Sequence, residues 1–328
     1  MKEKLKKIVF ILAAVFLCAG FLCSGPYKKV TAEETDGKKK NLVIGAAFAS
    51  SDASYQQTLA GELEKRASED KDFELKLVFA DWNVKTQEEQ LYDFIKEKVD
   101  AIILCPVNAK SYLNVLKDAR NAGIPVINLN MKVDVVSTEY ISTYVGASMS
   151  EEADLAAQLV VEALGEDGGK IGIIEGTQGS DPQIYRTQTF LEYLAGYPDI
   201  QVAAIVEGSW SREKAALAAL DLIRKEPEIK LIYCHDSNMA IGVCEMLERK
   251  GRENIKVIGI GNEEEYMEAI RQGRLYGIVT QPSEYEASYA WSCAKRAAEG
   301  HTLRAWYKNP VQILKKDTVD DYISPLEE

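Results

Sequence analysis

From Asn41 onward the sequence switches repeatedly between two hydrophobic periods, and this alternation constrains the fold more than any other feature. Short β-rich apolar runs bounded by turn formers span Leu42 to Phe48, Leu75 to Ala80, Ala101 to Val107 and Pro125 to Asn130. They are apolar on both faces, as parallel strands covered by helices on both sides must be. Between them the spacing predicts helices over Tyr55 to Ser68, Gln87 to Lys98 and Ser111 to Ala122, the last closed by Gly123 ahead of Pro125. A second series opens after Tyr144 to Ser148, where Ser148 and Glu151 have the spacing of a capping box for a helix reaching Leu164. Predicted strands Lys170 to Glu175, Val202 to Glu207, Leu231 to His235, Lys256 to Ile260 and Gly277 to Thr280 then alternate with helices near Ile184 to Ala195, Arg212 to Lys225, Met239 to Lys250 and Glu264 to Gln272. The fold class is therefore α/β, with two doubly wound units in one chain.

The head of the chain follows different rules. The 328 residues carry a net charge of -12, yet the first 40 hold nine Lys against four acids. Lys2, Lys4, Lys6 and Lys7 precede an uncharged apolar run from Ile8 to Cys23, the pattern of a secretory signal and, at 16 residues, short for a membrane span. Val30 and Ala32 offer a small-residue cleavage site, so 1–32 reads as a signal peptide or retained N-terminal anchor and 33–40 as a linker. Cys23 before Ser24 and Gly25 invites lipidation, but the preceding Phe21 and Leu22 place bulk where a lipobox wants a small residue, and Cys18 fits no better. Either way the body is exported, to a periplasm or cell surface. Its acidity excludes a nucleic-acid binder, which needs a basic stripe, and 46% apolar residues exclude wholesale disorder. Cys105, Cys234, Cys244 and Cys293 lack C-x-x-C spacing and read as buried small hydrophobes, with one disulfide left open.

In doubly wound sheets the ligand sits beyond the carboxyl ends of the strands. The segments found there are ASSDASY after the first strand, NLNMK after the fourth, GTQGSDPQIYR after Glu175, Gly208 to Trp210, His235 to Ser237, Gly261 with Asn262, and Gln281 with Pro282. Asp, Asn, Gln and Arg hold hydroxyls in bidentate geometry and aromatic rings cover the C–H face of a sugar, so the set suits a polyol or sugar. Each member also has a plain structural reading. Asp52 is a possible helix N-cap, Asn130 tolerates a tight turn, Arg186 could pair with Asp181 or Glu192, Trp210 could be packing, and His235 reads as structural. H-E-x-x-H, the G-x-S-x-G elbow and the Walker loop are missing, GIGNEE lacks the third glycine of a dinucleotide fingerprint, and the two histidines, His235 and His301, have no nucleophile beside them. No catalytic residue, metal or cofactor is expected.

The stretches VDAIILCPVNAKSYLNVLKDARNAGIPVINLN, IIEGTQGSDPQIYRTQTFLEYL, YCHDSNMAIGVCEML and VIGIG resemble the ribose/galactose type of extracytoplasmic sugar-binding proteins that serve ABC transporters. The resemblance implies a type I periplasmic-binding-protein fold whose lobes combine 40–147 with 283–311 and 148–282 with 312–328, joined by crossovers near Ala147, Gln281 and Val311. It implies ligand contacts from Asp52, Tyr55, Asn130, Arg186, Trp210, Asp236 and Gln281. Two features depart from the family: Gly261 stands where an Asp usually follows the VIGI strand, and no acidic calcium loop occurs around Gly165 to Lys170. The expected partners are a monosaccharide or polyol and an ABC permease, the protein being a monomer. A sensor subunit for a membrane receptor or histidine kinase, and an exported carbohydrate-active enzyme, are the competing expectations; a transcription-repressor effector domain would need a helix-turn-helix where this chain has its signal-like head.

Overall fold

The computed structural model describes residues 41–326. The expected export segment, its cleavage site and the linker lie outside the described residues. In chain order the first half runs β1 (Leu42–Phe48), α1 (Ser54–Glu69), β2 (Phe73–Phe79), α2 (Val84–Glu97), β3 (Ala101–Leu104), α3 (Leu113–Asn121), β4 (Val126–Leu129), β5 (Thr143–Gly146) and α4 (Met149–Leu164). The second half continues β6 (Gly169–Glu175), α5 (Asp181–Leu194), β7 (Ile200–Glu207), α6 (Arg212–Lys225), β8 (Ile229–Cys234), α7 (Ser237–Lys250), β9 (Lys256–Ile260), α8 (Glu264–Arg271), β10 (Gly277–Val279), α9 (Ser283–Ala298), β11 (Trp306–Lys308) and β12 (Ile313–Lys315).

These strands form two six-stranded sheets with the orders β11-β5-β4-β3-β1-β2 and β12-β10-β9-β8-β6-β7. Every pairing is parallel except β10 with β12. The chain passes from the first sheet to the second between β5 and α4, returns between β10 and α9, and crosses again between β11 and β12. Packing explains the return. α9 sets Ala287, Ala290 and Ala294 against Ile44, Ile103 and Ile127 of the first sheet, while α4 sets Ala153, Ala156 and Val160 against Ile173, Leu231 and Ile258 of the second. Small residues on the helix let its axis approach the β-branched surface closely. Together the lobes match the two-domain α/β architecture expected from the periodicity.

Local chemistry sets the element ends. Asn83 caps α2 by accepting from Thr86 N, Ser211 caps α6 through Lys214 N, and Asp236 caps α7 through Met239 N. Ser148 accepts from Glu151 N at 3.3 Å, but Glu151 turns outward to Lys308 rather than completing the capping box. β3 stops at Leu104, short of the expected Val107, because Pro106 has no N–H for the ladder. α9 falls in a segment where no element is expected from periodicity. The four body cysteines are buried free thiols. Among the described residues no helix is long and apolar enough to cross a membrane.

Candidate functional site

The two sheets point their carboxyl ends at one another, and a narrow cavity lies between them. Tyr55, Asn130, Arg186, Trp210, Asp236 and Gln281 all line it. Asp52 does not: it is exposed and bonded to the Ser50 hydroxyl, and Ala53, without a side-chain bond, occupies the N-cap of α1. The structure thus corrects both sequence readings of Asp52, since it neither lines the cavity nor caps the helix.

The backbone places several of these groups by left-handed turns. Asn130 leaves β4 at φ 59, a conformation Asn adopts more readily than most residues, and its Nδ2 donates to Glu286 Oε2 at 3.0 Å. The tight-turn reading and the cavity-lining reading therefore hold together. Ser209 and Trp210 follow β7 with φ 52 and 60. That paired turn lays the indole over Gly176, where a Cβ would stand 1.9 Å from Trp210 Cζ2. Trp210 is only 8% exposed and belongs to the apolar core of the second lobe, yet its Nε1 has no hydrogen-bond partner.

Arg186 is held in place by four hydrogen bonds to the protein. Its Nε and Nη2 donate to Glu152 Oε2 at 3.0 and 2.7 Å, Nη1 donates to the His235 carbonyl at 2.5 Å, and Nη2 also reaches Gln281 Oε1 at 3.1 Å. The partner is buried Glu152, not Asp181 or Glu192. Holding that pair in the interior raises the cost of either charge alone, since the desolvation of an unpaired ion is several kcal/mol. Burial pushes Glu152 upward while Arg186 pulls it back. His235 is structural, its ring buried against Thr187 and the Gly176 amide and held neutral by burial and by Arg186. Gln281 Nε2 and Glu152 Oε1 have no partner.

A second buried carboxylate, Glu286, lies behind Tyr55 and Asn130. It accepts from Asn309 Nδ2 at 2.9 Å as well as from Asn130, and its pKa is raised to about 7 by burial. The same Asn309 donates to the Pro282 carbonyl and, through its amide, to the Gly146 carbonyl, so one carboxylate ties the cavity wall to all three crossover segments. Glu263 folds back over Gly261, where an added Cβ would lie 3.2 Å from its Oε2. A carboxylate therefore occupies the neighbourhood of the family's missing Asp, delivered from two residues downstream.

Trp82, Gln56, Met131 and Met149 also line the cavity and were not singled out in the sequence. Trp82 stands just past the carboxyl end of β2 at φ 62 and packs against the cores of both lobes. The strand-end rule that identified Trp210 finds it once the segment after β2 is included. Glu152 and Glu286 sit within helices, and nothing in their local sequence marks them. Among the described residues no group of three His, Cys, Asp or Glu could hold a metal.

Residues 44–302 match the periplasmic binding protein domain family. The xylitol-binding protein of Mycolicibacterium smegmatis is 28% identical over 253 residues, covering 73% of this chain and 69% of its own. The ribose import binding protein of Bacillus subtilis is 22% identical, covering 94% and 99%. Among solved structures, an ABC transporter solute-binding protein from Bacillus halodurans with bound myo-inositol superposes with a TM-score of 0.81 at 24% identity, covering 87% of this chain and 98% of that one. One from Actinobacillus succinogenes with bound D-allose gives 0.79 at 25% identity, covering 86% and 100%.

Proposed function

We propose, for a chain that belongs to the periplasmic binding protein family, that it captures a monosaccharide or related polyol between its lobes and hands it to an ABC permease. The observation that carries this reading is the composition of the cavity wall: Tyr55, Trp82 and Trp210 supply ring faces, and Asn130, Arg186, Asp236 and Gln281 supply hydroxyl partners. Rings and amides come from both lobes, so a bound solute stabilises the closed arrangement by its differential affinity for it. The membrane partner then reads closure. The relatives that bind ribose, xylitol and allose support a small polyhydroxylated solute, and the export signal expected over 1–32 supports action outside the cytoplasm; in this reading the protein works as a monomer and does no chemistry on its solute. The domain boundaries drawn at residues 147, 282 and 311 would then be the hinge.

A sensing role has one specific support: the fructose-binding periplasmic domain of a hybrid two-component system superposes with a TM-score of 0.77 at 21% identity. Closure would in that case be read by a kinase. A thermal-shift screen against monosaccharides and polyols tests the shared premise. Ligand at 100 times its dissociation constant stabilises by about 2.7 kcal/mol, and the absence of any shift across the set contradicts the reading. Growth of a permease-deficient strain on the identified solute separates transport from sensing.

A further inference from the structure

The charges around the cavity do not balance. Three cations approach it, and each is already matched. Arg186 is held by Glu152. Arg212 bonds Glu245 and Glu265. Lys132 lies over the Tyr144 and Trp306 rings, with Asp181 and Glu152 as its nearest acids. Asp236, Glu263 and Glu286 remain: none of them forms a close ion pair with a Lys or Arg among the described residues, although Arg186 and Arg212 act on Asp236 from a distance and draw its pKa down. Burial pushes all three upward, to about 6, 7 and 7, so a cation placed beside any of them would favour its charged form.

The cavity wall shows what that counter-charge must look like. Asp236 shares the cavity with the rings of Tyr55, Trp82 and Trp210, and a carboxylate among aromatic faces is the arrangement that recognises an ammonium ion. The unpartnered Trp210 Nε1 and Gln281 Nε2, in residues 8% and 4% exposed, are donors that call for oxygen acceptors in the same ligand. A neutral sugar can satisfy the donors and hydrogen-bond the Asp236 carboxylate through its hydroxyls, but it brings no positive charge to it. A cation without hydroxyls does the reverse.

We infer that the ligand is a polyhydroxylated amine, an amino sugar or amino polyol whose ammonium group sits against Asp236 with Glu263 behind it. This rests on the sugar or polyol reading above and narrows it. Glu263, folded over Gly261, brings a carboxyl group to the place where the family Asp would have stood, so the change to Gly at 261 has moved acidity rather than removed it. Asn262 N holds the Glu263 carboxylate in place at 3.2 Å.

The test is calorimetric titration of the full chain with matched pairs: aldohexoses, aldopentoses and inositols, each beside its monoaminodeoxy derivative. At pH 7 the amine member of the recognised pair is expected to bind at least tenfold tighter than its hydroxyl twin, because its hydrogen bond to the carboxylate is charged on both sides. Asp236→Asn keeps the α7 cap, and Glu263→Gln leaves the cap untouched; in each the amine-to-hydroxyl affinity ratio should fall by about tenfold. Equal or tighter binding of the hydroxyl twin, or an undiminished ratio in both variants, overturns the amine and leaves the sugar reading standing. Failure of every member to bind overturns both.

Discussion

Gly176→Ala separates the binding role of Trp210 from its packing role. At Gly176 the backbone is compatible with alanine, but the new methyl group would meet Trp210 Cζ2 at 1.9 Å and Cε2 at 2.0 Å, where ordinary contact begins at 3.4 Å. The indole must therefore move by about 1.5 Å, and because its other face lines the cavity, the open direction is into the ligand's space. Overpacking of this kind costs about 1–3 kcal/mol, and a chain of this size loses roughly 2–4 °C of Tm per kcal/mol. The variant should fold, melt a few degrees lower and bind at least a hundredfold more weakly, since near-contact ring stacking is replaced by a clash. Calorimetry gives the affinity, and intrinsic fluorescence reports the displaced indole. Unchanged affinity with a lowered Tm would refute the reasoning, because it would show that Trp210 serves only the core.

Other consequences concern the buried charges. Arg186→Met strands Glu152, whose exposure is 0%, and should cost about 3–5 kcal/mol of apo stability in denaturant unfolding; adding Glu152→Gln should recover most of it, and additive losses would show that the two side chains are not coupled. Glu286 is raised from 4.5 to about 7 with Asn130, Asn309, Tyr55 and Glu152 around it. Its folded state favours the protonated form, so this contribution is fully present below about pH 4.5 and fades as pH rises through about 7. The wild type should therefore lose stability relative to Glu286→Gln between pH 5 and 8 in urea titrations, and parallel pH profiles would contradict the assignment. Trp82→Ala should weaken solute binding and lower Tm together, since the ring packs on both lobes; an unchanged affinity would remove it from the site.

The sequence revealed the architecture because each strand is a local apolar run and each helix a local amphipathic pattern. Lys256–Ile260 and Arg212–Lys225 have the predicted bounds, for the turn formers and the Ser211 cap beside them are local signals. The edge strands β2 and β7 begin two residues earlier than expected, at Phe73 and Ile200, because their alternating exposure breaks the continuous apolar run. The site was legible where strand ends announce it: six of the seven candidates line the cavity, and Asp52 misses because its exposed carboxylate folds back onto the Ser50 hydroxyl ahead of α1. Glu152 and Glu286 were illegible for a physical reason. Each is a helical acid whose burial depends on packing between segments 34 residues apart for Glu152 and Arg186 and 156 apart for Glu286 and Asn130, which no local pattern encodes.

In the proposed role the space between the lobes takes up one small polyhydroxylated solute and releases it unchanged. Calorimetric titration of the purified protein with the solute found by thermal-shift screening, followed by mass spectrometry of the recovered solute, tests it most directly. The expected result is saturable binding of one molecule per chain, with the solute's mass and structure unaltered. Conversion of the solute, or saturable binding that survives in Gly176→Ala and Arg186→Met at full affinity, would contradict it.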